Sequence, residues 1–321
     1  MNPYRLILAL CIGMLAAPFA LAQSFPTKPI KIIVGYSPGG AVDIVARTVG
    51  QKLSASLGQP VIVENKPGAG TNIAVRALID SPPDGYTLML SANALAANVS
   101  LYQPAPFDLD RDVAPVSLVG RVPVVIATNA TSDFSTLAKF VAAAKAAPGS
   151  INYATPGNGS TPHLAMELFA RAAGISVAHI PYRGGSPAII DVIGGQLPLV
   201  AVNALEVQPH VKTGKLRVLA VMSKTRTSIF PTVPTIAESG YPGFEAAVWY
   251  GFIAPAATPK AVIATLHAEI QKAIASQDVK ERMASVGGEV NPGTSEQFGA
   301  LIQAERVRYE KLIRDAKLKP D

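Results

Sequence analysis

The chain of 321 residues has one cysteine, Cys11, one tryptophan, Trp249, and four histidines. Cys11 lies inside an N-terminal apolar run, so the chain beyond that run has no cysteine, no disulfide and no free thiol to oxidise, as suits an oxidising compartment. His163, His179, His210 and His267 are far apart, and no pair has the helix-face spacing of a metal site; no metal or other cofactor is expected. Basic runs of five or more are absent. Arg306, Arg308, Lys311, Arg314, Lys317 and Lys319 cluster near the C-terminus but are interleaved with acids, which reads as a solvated helix face rather than a nucleic-acid surface. The sequence has no low-complexity segment and no short fixed repeat.

Long apolar runs are also missing, apart from Leu6 to Ala20. That stretch is shorter than the ~20 residues of a spanning helix. It follows Arg5 and precedes Ala20-Leu21-Ala22, a small-x-small cleavage signature, so residues 1–22 read as a secretory signal cut before Gln23. Leu10 stands before Cys11 where a lipid-anchored precursor needs a small residue, which argues against acylation. The expected product is periplasmic, about 300 residues long, with 27 basic residues against 22 acidic ones.

What remains alternates β-like runs with helical patterns, which predicts α/β layers with largely parallel sheets. Strands are expected at 30–36, 61–63, 86–90, 122–128, 151–154, 177–182, 197–202, 216–222 and 248–254. Between them fall helical stripes such as Val45, Val49 and Leu53, stopped by Gly58-Gln59-Pro60. Thr161-Pro162 and Ser186-Pro187 read as N-cap and first helical residue, closed by Gly174 and Gly194. Thr258-Pro259 opens a helix carrying Ile263, Leu266, Ile270 and Ile274. Thr294 and Gln297 form a capping box for a last helix with Phe298, Leu301, Ile302, Tyr309 and Leu312 on one stripe. The repetition implies two similar βα lobes: residues 23–124, then 125–247, then a return to the first lobe over 248–321.

Three places share one design, a strand ending in a Gly- or Ser-rich turn that opens a helix. They are Ser37-Pro38-Gly39-Gly40, Gly157-Asn158-Gly159-Ser160-Thr161 and Arg183-Gly184-Gly185-Ser186. Unsatisfied N–H groups and the helix dipole let such a turn hold an anion without a formal cation. In α/β sheets these turns lie at the carboxyl ends of strands, where ligands bind. His163 either contacts a ligand or steadies its turn, and Arg183 either pairs with a carboxylate or faces solvent. Asp43 suits the first turn of its helix whatever else it does, and Trp249 reads as core or hinge packing. Enzyme motifs do not appear: the third glycine of a dinucleotide fingerprint is missing after Gly157-Asn158-Gly159, and there is no G-x-x-x-x-G-K-[ST], H-E-x-x-H or G-x-S-x-G.

Taken in order, several segments resemble the Bug-type substrate-binding receptors of the tripartite tricarboxylate transporter system, the TctC family. They include Pro29 to Val34, Pro38-Gly39-Gly40 with Asp43 and Arg47, and Val63 to Gly70. Asp84 to Leu88, Gly157 to Ser160 with His163-Leu164, and Pro181-Tyr182-Arg183-Gly184 follow, then Gly214 to Arg217, Val233-Pro234-Thr235 and Gly240 to Phe244. The resemblance implies a type II periplasmic-binding-protein fold, two lobes joined by crossover strands with a ligand cleft between them. It also implies a monomeric, non-enzymatic receptor that captures a small carboxylate, a di- or tricarboxylate or aromatic acid, for the transporter's membrane subunits. In such receptors the first and fifth βα turns hold the carboxylate, here Ser37 to Gly40 and Gly157 to Thr161 with His163, while Ser91, Ala92 and Asn93 face its distal part. The chain departs from the family pattern at Tyr36, where many members have Phe, and at Val202-Asn203, where many have Phe-Asp or Phe-Asn; Asn203 keeps a polar group at that strand end. Two other functions stay open on the residues alone: a sensor presenting its ligand to a membrane kinase, and an α/β enzyme acting on a carboxylate or phosphate ester.

Overall fold

The computed structural model describes residues 25–284 and 288–320. Cys11 and the expected cleavage point at Gln23 lie outside them. The strands form a path in the order β2-β1-β3-β9-β4-β7-β5-β6, with β8 and β10 also paired to β4. Its first arm contains β1 (Ile30–Val34), α1 (Ala41–Leu57), β2 (Val61–Asn65), α2 (Asn72–Ile79), β3 (Thr87–Ser91), α3 (Ala94–Leu101) and the single turn α4 (Leu109–Asp112). The strand β4 (Val113–Asn129) then runs into a second arm of α5 (Leu137–Ala146), β5 (Asn152–Thr155), α6 (Thr161–Ala173), β6 (Ala178–Pro181), α7 (Gly185–Ile193), β7 (Leu199–Asn203), α8 (Ala204–Lys212) and β8 (Leu216–Val221). The chain returns through β9 (Ala247–Pro255) to α9 (Lys260–Ala275), α10 (Gln277–Ala284), β10 (Glu289–Val290) and α11 (Ser295–Ala316).

Within each arm the βα units pair in parallel, β1 with β2 and β3, and β5 with β6 and β7. The seam is antiparallel. Residues 113–123 of β4 pair with β9, and residues 124–129 pair with β7 and β8. One extended strand therefore belongs to both lobes, and β9 lies against it on the way back. Register shifts near Pro115–Ser117 and Leu118–Gly120 break the alternation along its first half. These bulges hide that half from a period-2 reading, so the sequence indicates only 122–128.

Most other elements form where the local signals place them. Gly58 and Gly174 stop α1 and α6 with φ of 65° and 61°, and Thr294 and Gln297 make the capping box of α11. Two helix starts differ from expectation. Ser160 rather than Thr161 is the N-cap of α6, and Gly184 rather than Ser186 is that of α7. Pro tolerates the first turn generally, so Pro162 and Pro187 fix each start only to within one or two residues. The helices α3 and α8 were not expected. Apolar and small residues bury α3 all round, leaving no stripe to read, and Pro209 lies inside α8. No helix among the described residues is long and apolar enough to cross a membrane.

Candidate functional site

The turn after β1 is fastened from beneath. Asp43, buried in the first turn of α1, accepts hydrogen bonds from Gly39 N, Arg47 Nε and Asn65 Nδ2, each at 3.0 Å. Asn65 also donates to Tyr36 O at 3.0 Å. Burial alone would raise the Asp43 pKa, but the bonds from Arg47, Gly39 and Asn65 outweigh it and hold the carboxyl below its ordinary range. Asp43 thus shapes the turn. Pro38 and Gly39 are exposed, and Gly40 is buried.

The turn after β5 is organised by its own helix. Ser160 Oγ accepts from His163 N at 3.4 Å, and His163 Nδ1 accepts from Gly159 N at 3.2 Å. The His163 ring stacks on His179, with centroids 4.0 Å apart and planes 13° apart. His179 Nε2 lies 2.6 Å from Thr155 Oγ1, and burial pushes its pKa down to about 4. His163 therefore takes the loop-orienting role. Because Ser160 does the capping, the Thr161 hydroxyl has no capping duty; it is buried and has no partner among the described residues.

The turn after β6 meets the first turn across the lobes. Arg183 is exposed, and its carbonyl accepts from Ser37 N at 2.9 Å and Ser37 Oγ at 2.7 Å. Gly184 has φ of 144°, and a Cβ there would stand 3.0 Å from Ser37 N, so a side chain would separate the two turns. Tyr182 donates its hydroxyl to Asp191, and burial and that carboxylate push its pKa up to about 12.

Glu206 was not singled out by the sequence, and it lies at the meeting point. It is 8% exposed. Its Oε1 accepts from Ala41 N, the first helical residue of α1, at 2.8 Å. Its Oε2 accepts from Asn203 N and Asn203 Nδ2, each at 3.2 Å. A Cβ on Gly185, at the start of α7, would stand 2.6 Å from Glu206 Cδ. One carboxylate thus packs among the N-termini of α1, α7 and α8. Burial raises the Glu206 pKa, while the donors from Ala41 and Asn203 oppose the rise. The legible signal was the spacing Asn203-x-x-Glu206, an acceptor-x-x-Glu pattern at a helix start.

These groups line a small cavity between the lobes, among them Tyr36, Ala92, Thr161, Asn203, Glu206 and Tyr250. The cavity is about 20 Å³, room for about one water molecule. Tyr250 OH, like Thr161 Oγ1, is buried without a partner among the described residues. Burial and then the Glu206 charge push the Tyr36 and Tyr250 hydroxyls well above their ordinary range. Ala92 lines the cavity, but its neighbours serve the frame. Ser91 Oγ donates to Gly251 O at 2.9 Å, and Asn93 binds Tyr309 OH at 2.9 Å and Trp249 N at 3.0 Å. Trp249 packs edge-on against Phe298, as core. Gly157, Asn158, Tyr182 and Arg183 line a separate opening with the 68–71 loop. A wider groove of about 900 Å³ between α5 and β8, lined by residues such as Leu137, Val141, Leu216 and Tyr241, gathers none of the three glycine turns.

Residues 45–318 match the family model described as tripartite tricarboxylate transporter family receptor. The chain is 39% identical to protein BugT of Bordetella pertussis, over 99% of this chain and all of that one. Among solved structures it is similar to R. palustris Rpa4515 with adipate, at 29% identity and a TM-score of 0.88, covering 92% of this chain and all of that one. It is also similar to MatC from Rhodopseudomonas palustris with bound malate, at 28% identity and a TM-score of 0.86, covering 90% of this chain and all of that one. The chain belongs to the tripartite tricarboxylate transporter receptor family and has its two-lobed periplasmic-binding-protein fold.

Proposed function

We propose that this receptor is exported to the periplasm, captures a small organic acid between its lobes as a monomer, and delivers it to the membrane subunits of a tripartite tricarboxylate transporter. The observation that carries this reading is the interlobe cavity, where Thr161 Oγ1 and Tyr250 OH are buried without partners beside helix N-termini. Two hydroxyl donors beside helix N-termini suit a carboxylate. Adipate and malate, named with the two solved relatives, are both carboxylates. A role in binding and release rather than catalysis fits a site whose histidines are spent on holding a loop.

We place the lobe boundaries where β4 changes partners, near residue 124, and where β9 rejoins it, near residue 247. Accommodating a ligand then requires the lobes to part, because the cavity of about 20 Å³ is smaller than any organic acid. Calorimetry against organic acids and their carboxamides tests the reading. An acid should bind and raise the melting temperature, and its amide should bind at least about tenfold more weakly. Equal affinity for acid and amide would remove the carboxylate from the account.

A further inference from the structure

The helix N-terminus expected to receive a ligand's carboxylate already holds one from the protein. Ala41 N, at the start of α1, donates to Glu206 Oε1 at 2.8 Å. All three groups bound to the Glu206 carboxyl are N–H donors: Ala41 N, Asn203 N and Asn203 Nδ2. Such donors favour the ionised form and limit the rise in pKa that burial, the larger effect, produces. A carboxylate offers about four acceptor positions. Three are taken, and Glu206 lines the cavity, so one acceptor position remains on Oε1 for whatever enters.

The other cavity groups complete a polarity. No lysine or arginine is among the described residues lining it. Thr161 Oγ1 and Tyr250 OH, buried and without partners among the described residues, are hydroxyls able to donate, and Asn203 Oδ1, likewise without a partner, can only accept beside Glu206. Glu206 is therefore the resident negative charge, its neutralisation shared by the ends of α1, α7 and α8. A ligand with a carboxylate at both ends would bring one of them against Glu206 with no side-chain cation between. A ligand with one carboxylate and a donor at its other end meets complementary groups at each.

We propose that Glu206 is a specificity-determining residue, selecting an organic acid with a single carboxylate and an N–H or O–H donor at its far end. The carboxylate is taken by the Thr161 hydroxyl, and the donor is taken by Glu206, whose charge already bears on Tyr250. The carboxylate half of this statement rests on the function proposed above; the Glu206 half stands on its own geometry. An ammonium and a hydroxyl satisfy the same acceptor, and an ammonium gains more because it also offsets the Glu206 charge.

The test is calorimetry with acids of three to six carbons whose far end is a methyl, hydroxymethyl, aminomethyl or carboxylate group. The wild-type protein should bind the amino or hydroxy acid at least about tenfold tighter than the dicarboxylate of equal length. In Glu206→Gln, shown folded by circular dichroism, that gap should shrink to under about threefold. A wild-type preference for dicarboxylates overturns the proposal, and so does a donor preference that survives in Glu206→Gln. Dicarboxylate binding with uptake of one proton, measured from the buffer dependence of the heat, would mean that Glu206 acts as an acid and also overturns it. The wild-type series decides the matter even where Glu206→Gln does not fold. The carboxamides of the same compounds separate the two readings. Acid preferred over amide without a donor preference sinks only the Glu206 assignment. A Glu206-dependent donor preference with equal acid and amide binding sinks only the carboxylate reading.

Discussion

Glu206 Oε1 accepts the Ala41 N–H at 2.8 Å across 165 positions of sequence, joining the first turn of α8 in one lobe to the first turn of α1 in the other. The same carboxylate packs against Gly185, which has no room for a Cβ.

Gly185→Ala should therefore push Glu206 off Ala41. The expected loss of stability is about 2 kcal/mol, the scale of overpacking a tight site. Combining it with Glu206→Ala should recover part of the loss, because the group that clashes is gone. Chemical denaturation of the single and double variants measures the coupling. Strictly additive losses would show that the two residues do not compete for one space.

Capture should depend on backbone shape more than on the Arg183 charge. Gly159 has φ of 71°, and a Cβ there would run into the Asn98 side chain. Gly159→Val should abolish binding of any acid ligand while leaving the circular dichroism spectrum native. The Arg183 side chain is exposed and its bond to Ser37 uses the carbonyl, which alanine keeps. Arg183→Ala should cost under about 1 kcal/mol of binding. Loss of binding in Arg183→Ala with retention in Gly159→Val would reverse this assignment.

The buried His179 makes a pH prediction. Burial holds its pKa at about 4, below the ordinary 6.5, so the folded state disfavours the imidazolium. A group whose pKa is lowered on folding contributes stability above its unfolded value. That contribution is lost as pH falls from 6.5 through about 4. The full loss is about 3 kcal/mol at 1.36 kcal/mol per pKa unit. Unfolding of wild type and His179→Gln, compared from pH 7 to pH 4, should show a flatter profile for the variant. Parallel profiles would mean that His179 does not titrate in this range.

Ser37 links the lobes through the Arg183 carbonyl, so Ser37→Ala should weaken closure by about 1 kcal/mol, the scale of one hydrogen bond. Small-angle scattering should show wild type compacting when a bound acid is added, and the variant starting from a larger radius of gyration. An identical profile with and without saturating ligand would rule out hinge closure.

The mature chain should begin near Gln23 and carry no lipid. Intact mass of protein from the periplasmic fraction reads both. A species that retains Cys11 would show that the leader is not cut at Ala22.

Most strands, the helix stops at Gly58 and Gly174, the α11 capping box and the three glycine turns were legible in the sequence, but not the first half of β4 or β10. Each depends on residues a few positions apart, whose dihedral preferences and orphan N–H groups act locally. The family resemblance was legible for a related reason, since it rests on short segments in order. Locality also set the errors. Thr161 and Ser186 read as caps because a hydroxyl before proline suits a helix start, but proline tolerates any place in the first turn, and the observed caps, Ser160 and Gly184, lie one and two residues earlier. The sequence chose the turns but could not say which amides stay open to a ligand. That was decided by Glu206, a residue of a proline-containing helix with a weak local signal, meeting Ala41 from the far lobe. The sequence alone thus determined the βα units and the glycine-rich turns at their ends. Tertiary structure alone decided that one of those ends is filled by the protein's own carboxylate, because desolvation and interlobe contact exist only once distant segments share one cavity.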